Sequence, residues 1–257
     1  MSADTWNPTV YDKFKQERAQ PFHDLVALVR PVPGGRVLDL GCGSGELTAL
    51  LHAATGAGET LGIDSSAAML EPAASRARDG LRFAQGDIAG LAPDGSWDVV
   101  FANASLQWLP DHPALLARLS GALRPGGQLA VQIPANFDHP THTVVDAVGA
   151  EFGMRPLSRF EAILSPEGYA LLLDRLGFAE QHVRLQVYVH HLPATSAVID
   201  WVQGTLLTPY RRELDAERYA EFLDRYRRRV LAALGDESGE RPHTYAFKRV
   251  LMRARRP

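Results

Sequence analysis

Two short stretches of the 257-residue chain hold residue types that could do chemistry. The first, "DLGCGSG", runs from Asp39 to Gly45 and places Gly41, Gly43 and Gly45 on alternate positions beside an acid. Glycine adopts positive φ without steric cost and lets a backbone approach a ligand closely. Cys42 lies within the turn, and a thiolate at a helix start can be activated. No histidine stands at a spacing that suggests a partner, so a small residue packed beneath a ligand is the expected role. The second stretch, "FANASLQWLPDH", reaches from Phe101 to His112 and contains Ser105, Asp111 and His112. Those are the residue types of a nucleophile, a base and an orienting acid. Two further acids follow at intervals, Asp64 in "GIDSS" and Asp87 in "GDI". Capping of loop backbone is the plain alternative for all three acids.

Elements must be found that carry these residues to one place. Residues 36–43 read as a buried strand entering the glycine turn, and 44–55 as a helix. Strands at 60–66, 81–88, 97–104 and 128–134 alternate with helical patterns, one after residue 66 with a proline inside and one over 112–127. Strands separated by helices at this spacing form βαβ units and a doubly wound, mostly parallel sheet. The glycine turn then opens at the carboxyl end of the first strand, where such sheets bind ligands. Beyond Pro134 the pattern changes to a polar loop and a short helix. A helix over 165–178 starts with a serine cap and Pro166 and ends at Gly177. Alternating residues at 180–192 and 243–254 predict strands six and seven. Between them, 194–234 reads as helix, with an apolar stripe at Phe222, Leu223, Tyr226 and Val230. An insertion of that size suits a cap better than a connector.

The glycine spacing is G-x-G-x-G and not the G-x-G-x-x-G of dinucleotide sites. With the preceding acid it resembles motif I of class I S-adenosylmethionine (SAM) methyltransferases. An acid at that strand end suits the ammonium of the cofactor's methionine tail. Asp64, 19 residues after Gly45, fits the ribose hydroxyls, and Asp87 the adenine amino group, with Ile88 beside the ring. The resemblance extends further, to the trans-aconitate 2-methyltransferase family. "WNPTVYDKFKQERAQPFHDLVALV", "FANASLQWLPDH", "VQIPANFDHPTH", "VIDWVQGTLLTPY" and the "AFKRVLMRARR" tail carry it. It implies a seven-stranded class I, Rossmann-like domain over residues 1–257. An N-terminal arm over 1–30 and helical cap segments at 136–165 and 194–240 complete it. It also implies methyl transfer from SAM to a carboxylate of a small polycarboxylic acid. Gln20 departs from the family, which often has arginine there, and the region from Gly235 to Arg249 looks diverged.

The expected cofactor contacts are Asp39, Gly41, Cys42, Gly43, Gly45, Asp64, Ser65, Met69, Asp87, Ile88, Asn103, Ala104 and Leu106. For the substrate, Arg18 and Arg249 are the expected clamps, because a small polyanion needs cationic partners to offset desolvation. Tyr11, Gln107, Trp108, Asn136, Trp201 and Tyr210 are candidate wall or hydrogen-bonding residues, each with core packing or a surface pair as the alternative. A carboxylate is already ionised at neutral pH, so no catalytic acid or base is expected. The apparent triad then becomes a cap at Asp111, a loop anchor at His112 and a packed Ser105.

Other readings compete less well. A malonyl thioester on a carrier protein is another possible carboxyl substrate, and a SAM-binding module without catalysis is a third reading. A panel of acids separates them. His139 and His142 have near-ligand spacing but lack an acid or cysteine cluster, so no metal is expected. Arg225 to Arg229 reads as a solvated helix face rather than a nucleic-acid contact. A net charge of -3, 46% apolar residues and one cysteine fit an ordinary globular chain of a reducing compartment. No signal peptide, no membrane span and no nucleic-acid partner is expected, only a cytoplasmic monomer.

Overall fold

A computed structural model describes residues 15–155 and 162–257. Seven strands form one sheet in the order β3-β2-β1-β4-β5-β7-β6. β1 is Arg36–Leu40, β2 Glu59–Asp64, β3 Leu81–Gln85 and β4 Trp97–Asn103. β5 is Leu123–Pro134, β6 Glu180–Leu192 and β7 His243–Arg255. The first five pair in parallel and β7 runs antiparallel to β5. The mostly parallel sheet read from the sequence is therefore present. Its central strands are aliphatic almost without interruption, and residues 97–102 of β4 are all buried. Strands covered on both faces need that composition.

α1 (Lys15–Val26) precedes β1, and α2 (Glu46–Thr55), α3 (Ala67–Ala74) and α4 (His112–Ala122) connect parallel strands. α1 buries Phe22 and Leu25, with the Phe22 ring edge-on to Phe101 of β4. Gln20, the departure from the family, is exposed and donates to Asp24 at 2.8 Å. α4 corrects the sequence reading, which carried it to Gly127. The helix stops at Ala122 because Leu123 already pairs with Trp97. Residues 124–127 then loop out before Gln128 pairs with Val99.

The remaining helices are α5 (Pro140–Glu151), α6 (Pro166–Arg175), α7 (Ala197–Gln203), α8 (Thr208–Glu213) and α9 (Ala216–Ala233). α5 begins inside the expected polar loop. Pro140 occupies its first turn, and His139 caps it by accepting from the Thr141 amide. Ser165 caps α6 as its position foretells, accepting from Gly168 N at 3.1 Å.

The chain divides into two compact units. Of the described residues, one takes Ala19–Pro134, 162–186 and Arg249–Pro257, and contains β1 to β5. The other takes 15–18, 135–155 and Val187–Lys248. The second unit has its own core, in which Tyr210, Phe222 and Tyr226 stack as successive rings, the first pair 4.6 Å apart. The stripe read on α9 is buried at Phe222, Tyr226 and Val230, while Leu223 is half-buried. On the opposite face Arg225 pairs with Glu151 at 3.0 Å and Arg228 with Asp224 at 2.8 Å. Among the described residues no helix is long and apolar enough to cross a membrane.

Candidate functional site

The glycine turn follows β1 and feeds α2, beside the point where the strand order reverses between β1 and β4. Gly41, Gly43 and Gly45 all have positive φ, at 77°, 54° and 74°. Gly41 and Cys42 donate their amides to Ile63 O at 2.8 and 3.0 Å, which ties the turn to β2. There is no room at Gly41, where a Cβ would sit 2.4 Å from the Ser105 Cβ. At Gly43 the nearest atom to such a Cβ is the Met69 methyl, at 3.2 Å, so Met69 lies against the turn.

Three acids lie at or just beyond the carboxyl ends of three successive strands, β1, β2 and β3. Asp39 is buried, and its Oδ2 accepts from the Thr48 hydroxyl at 2.6 Å. Burial pushes its carboxyl up to about 7, against the pull of Thr48 and with a smaller push from the Asp64 charge. Asp64 is half-buried and accepts from Gly43 N and Ser66 N, each at 2.9 Å, one at each oxygen. Asp87 is exposed and accepts from Ala89 N at 2.8 Å through Oδ1. The capping alternative is thus half right. Asp64 and Asp87 hold local backbone, yet each oxygen of Asp64 retains a second lone pair and Asp87 keeps Oδ2. Ser65 is exposed with its carbonyl bonded to Gln85, and Ile88 begins a short 3-10 turn. Such a set of acceptors fits SAM: a buried acid with a raised pKa is relieved by a cation, and a pinned carboxylate with spare lone pairs suits a diol.

Cys42 does not fit a nucleophile. Burial pushes its thiol up, and the neighbouring Asp39 and Asp64 charges push further. Its Cβ packs where Gly62 leaves space, since a Cβ at Gly62 would lie 2.8 Å away. Iodoacetamide at about pH 8 should therefore leave Cys42 unmodified in the native protein and label it only after unfolding. Rapid labelling of folded protein, followed by mass spectrometry, would overturn that assignment.

The segment after β4 is rigid rather than reactive. Ser105 donates to Leu40 O at 2.6 Å and is buried. His112 is buried, with Nε2 3.1 Å from Leu106 O and Nδ1 2.5 Å from the Tyr169 hydroxyl. A carbonyl can only accept, so Nε2 carries the proton and Nδ1 accepts from Tyr169. Burial holds this imidazole below its ordinary pKa, hence neutral. Asp111 caps α4, accepting from Ala114 N at 3.1 Å. Serine, histidine and acid each make their hydrogen bonds to groups outside the trio.

The same loop presents Asn103, half-buried, and Ala104, at φ 53° with its amide donated to Gln132 O at 3.0 Å. Leu106 is fully buried. Gln107 donates to Ala104 O at 2.7 Å, while its Oε1 is buried without a hydrogen-bond partner among the described residues. Trp108 is exposed at 39%. Arg249, on β7 of the same unit, is 6% exposed; its guanidinium can only donate, so the Gln132 amide is oriented with its oxygen towards it, and in that orientation the oxygen accepts from Nη1 at 3.0 Å.

Other expected substrate residues belong to the second unit. Asn136 is buried, accepts from Lys248 N at 3.2 Å and donates to the Tyr245 hydroxyl at 3.4 Å. Trp201 is buried with its ring 4.6 Å from His190. Tyr210 packs in the core stack and donates to Asp146 at 3.0 Å, so its alternative as a packing residue describes its place. Tyr11 lies outside the described residues, and so does the Arg18 side chain. Sequence reasoning missed Thr48, which has no signal beyond lying one turn into α2. It also missed Gln132, whose polarity inside the apolar run "QLAVQIP" was a visible sign.

Comparison with known proteins gives the family and the fold. A family model described as a methyltransferase domain matches residues 37–127. A trans-aconitate 2-methyltransferase of Deinococcus radiodurans is 47% identical over 98% of this chain and 99% of its own. The enzyme of that name from Methylobacterium radiotolerans is 42% identical over 98% of both chains. One from Escherichia coli is 40% identical over 86% of each. Among solved structures, a SAM-dependent methyltransferase from Mesorhizobium loti superposes with a TM-score of 0.53 at 24% identity, covering 95% of this chain and all of that one. The YcgJ protein of Bacillus subtilis gives 0.61 at 16% identity, covering 92% of this chain and 98% of that one. At such identities the likeness speaks for the fold.

Proposed function

The chain belongs to the trans-aconitate 2-methyltransferase family of SAM-dependent methyltransferases, and from that premise we propose that it esterifies one carboxylate of trans-aconitate to the monomethyl ester. The observation that carries the reading is the acid triplet around the glycine turn, with Asp39 buried and its carboxyl near 7. Asp39 holds the ammonium of the cofactor, Asp64 its ribose hydroxyls and Asp87 its adenine amino group. Bound SAM supplies a methyl group activated on a sulfonium.

The attacking atom is a substrate carboxylate oxygen, ionised above about pH 5. No side chain has to remove a proton, and the protein's task is orientation in a dry site. Holding the two reacting groups in line is worth roughly 7–11 kcal/mol. Arg249 offsets the substrate's charge, while Leu106, Gln107 and Trp108 support the acceptor beside the turn. His112 and Tyr169 act on this loop from behind, fixing Leu106 through its carbonyl.

Asp39 makes the reading testable by pH. Its carboxyl is raised in the free protein, so below about 7 it holds a proton that an arriving ammonium must displace. SAM affinity should rise with pH up to about 7 and then level, falling about tenfold per unit on the acid side. Calorimetry in buffers of different ionisation enthalpy should show close to one proton released below the midpoint. Because the bound ammonium keeps Asp39 ionised, kcat at saturating SAM should stay flat across the same range. A kcat that tracks the affinity would instead reveal a catalytic base and sink the orientation mechanism.

A further inference from the structure

We propose that Gln132 is the positioning residue that sets both Asn103 and Arg249, so that one buried amide aims the cofactor contact and the substrate clamp together. The inference rests on the roles given above to those two residues. Gln132 is completely buried in β5 among Leu129, Ala130, Val131 and Ile133, which are also completely buried. A lone polar side chain there costs stability unless both of its groups are satisfied. The register supplies the partners. Asn103 of β4 lies directly opposite Gln132. On the other side Gln132 faces Leu251 of β7, which makes Arg249 its diagonal neighbour on the same face.

The polarity of this chain of groups runs one way. A guanidinium only donates, so the Gln132 oxygen must face Arg249, and it accepts from Nη1 at 3.0 Å. The Gln132 nitrogen is then left to donate to Asn103 Oδ1, at 2.9 Å. Asn103 is thereby held with its oxygen inward. Its Nδ2, with two donors, makes no hydrogen bond to the protein among the described residues. Two outward donors at the end of β4 suit the carboxylate of the cofactor's methionine tail, and an outward oxygen would repel it.

Glutamate at this position tests the mechanism, because it can only accept. In Q132E the carboxylate pairs with Arg249 and forces Asn103 to turn its nitrogen inward. The variants are Asn103→Ala, Gln132→Glu and the double mutant, with SAM dissociation constants from calorimetry and trans-aconitate KM at saturating SAM. Asn103→Ala should weaken SAM about tenfold and move the KM less than about threefold. Gln132→Glu should weaken SAM about tenfold and raise the KM more than about tenfold. In the double mutant the two SAM losses should not add, since Asn103 is no longer there to be misdirected, while the KM stays as in Q132E. Additive losses of SAM affinity, or a Q132E protein with both constants unchanged, would overturn the proposal. If Q132E fails to fold, Gln132→Met keeps the volume without donor or acceptor and is expected to raise the KM in the same way; an unchanged KM there overturns the proposal equally. Wild-type protein that binds SAM but leaves trans-aconitate unmodified would defeat the substrate assignment alone, because the SAM half of the cycle is read without turnover.

Discussion

Gly41→Ala is expected to weaken SAM binding on the order of 100-fold, from two independent causes that act at one carbon atom. The residue has φ 77°, and leaving a non-glycine side chain there costs roughly 1–2 kcal/mol. The added methyl would also lie 2.4 Å from Ser105 Cβ and 3.1 Å from its hydroxyl. Ser105 is buried and bonded to Leu40 O, so it cannot swing aside cheaply. Relief has to come from the turn or from the segment after β4, and overpacking of that kind costs about 1–3 kcal/mol. Either movement displaces groups assigned to the cofactor, Gly43 with its bond to Asp64 or Asn103 with its outward amide. A Gly41→Ala, Ser105→Gly double mutant removes the collision but leaves the strained φ, and should regain roughly half of the lost free energy. SAM affinity within about threefold of wild type for the single mutant would mean that the turn does not contact the cofactor.

The second large effect belongs to the other ligand. Arg249→Ala should raise the KM for trans-aconitate on the order of 100-fold, because a buried cation facing an anionic substrate is typically worth 2–5 kcal/mol. SAM affinity should change only a few-fold, through the loss of an anchor for Gln132 and hence Asn103. Arg249→Lys keeps the charge but offers a point donor in place of a planar fork, so it should recover part of the loss. Thermal melting separates these effects from simple destabilisation, since the side chain is 6% exposed and its truncation leaves a void in the sheet. Equal losses for substrate and cofactor would argue that Arg249 is structural.

Much of the fold was legible because the central strands β1, β2, β4 and β5 carry short apolar runs, each with its own stop. The glycine turn, the serine before Pro166 and the alternation in β6 all carried local signals that tertiary contacts left intact. Two boundaries were not local. α4 ends at Ala122 because Leu123 finds a partner in Trp97, and nothing within 112–127 announces a pairing with a strand some 25 residues earlier. α5 starts at Pro140 inside a segment whose polar residues suggested a loop, although a proline in the first turn is a starting signal. The acids of the site were readable for a related reason. They sit at strand ends, where the pattern of apolar runs fixes position to within a residue or two. Arg249 was visible as a charge in a strand, but its pairing with Gln132 was not, because a glutamine inside an apolar run signals a polar partner without saying which way its amide faces. Tyr210 shows the opposite limit. An aromatic residue in a helical segment reads equally as pocket wall or core, and only the stacked Phe222 decides its place.

The central claim is that this protein moves a methyl group from SAM onto a carboxylate the substrate presents already ionised. Incubation with methyl-labelled SAM and trans-aconitate, followed by mass spectrometry of the acid, tests it most directly. One methyl per molecule of S-adenosylhomocysteine formed, in an ester that mild hydroxide releases as methanol, is the predicted result. Label that stays in SAM with trans-aconitate present, or that appears in a product resistant to hydroxide, would contradict it.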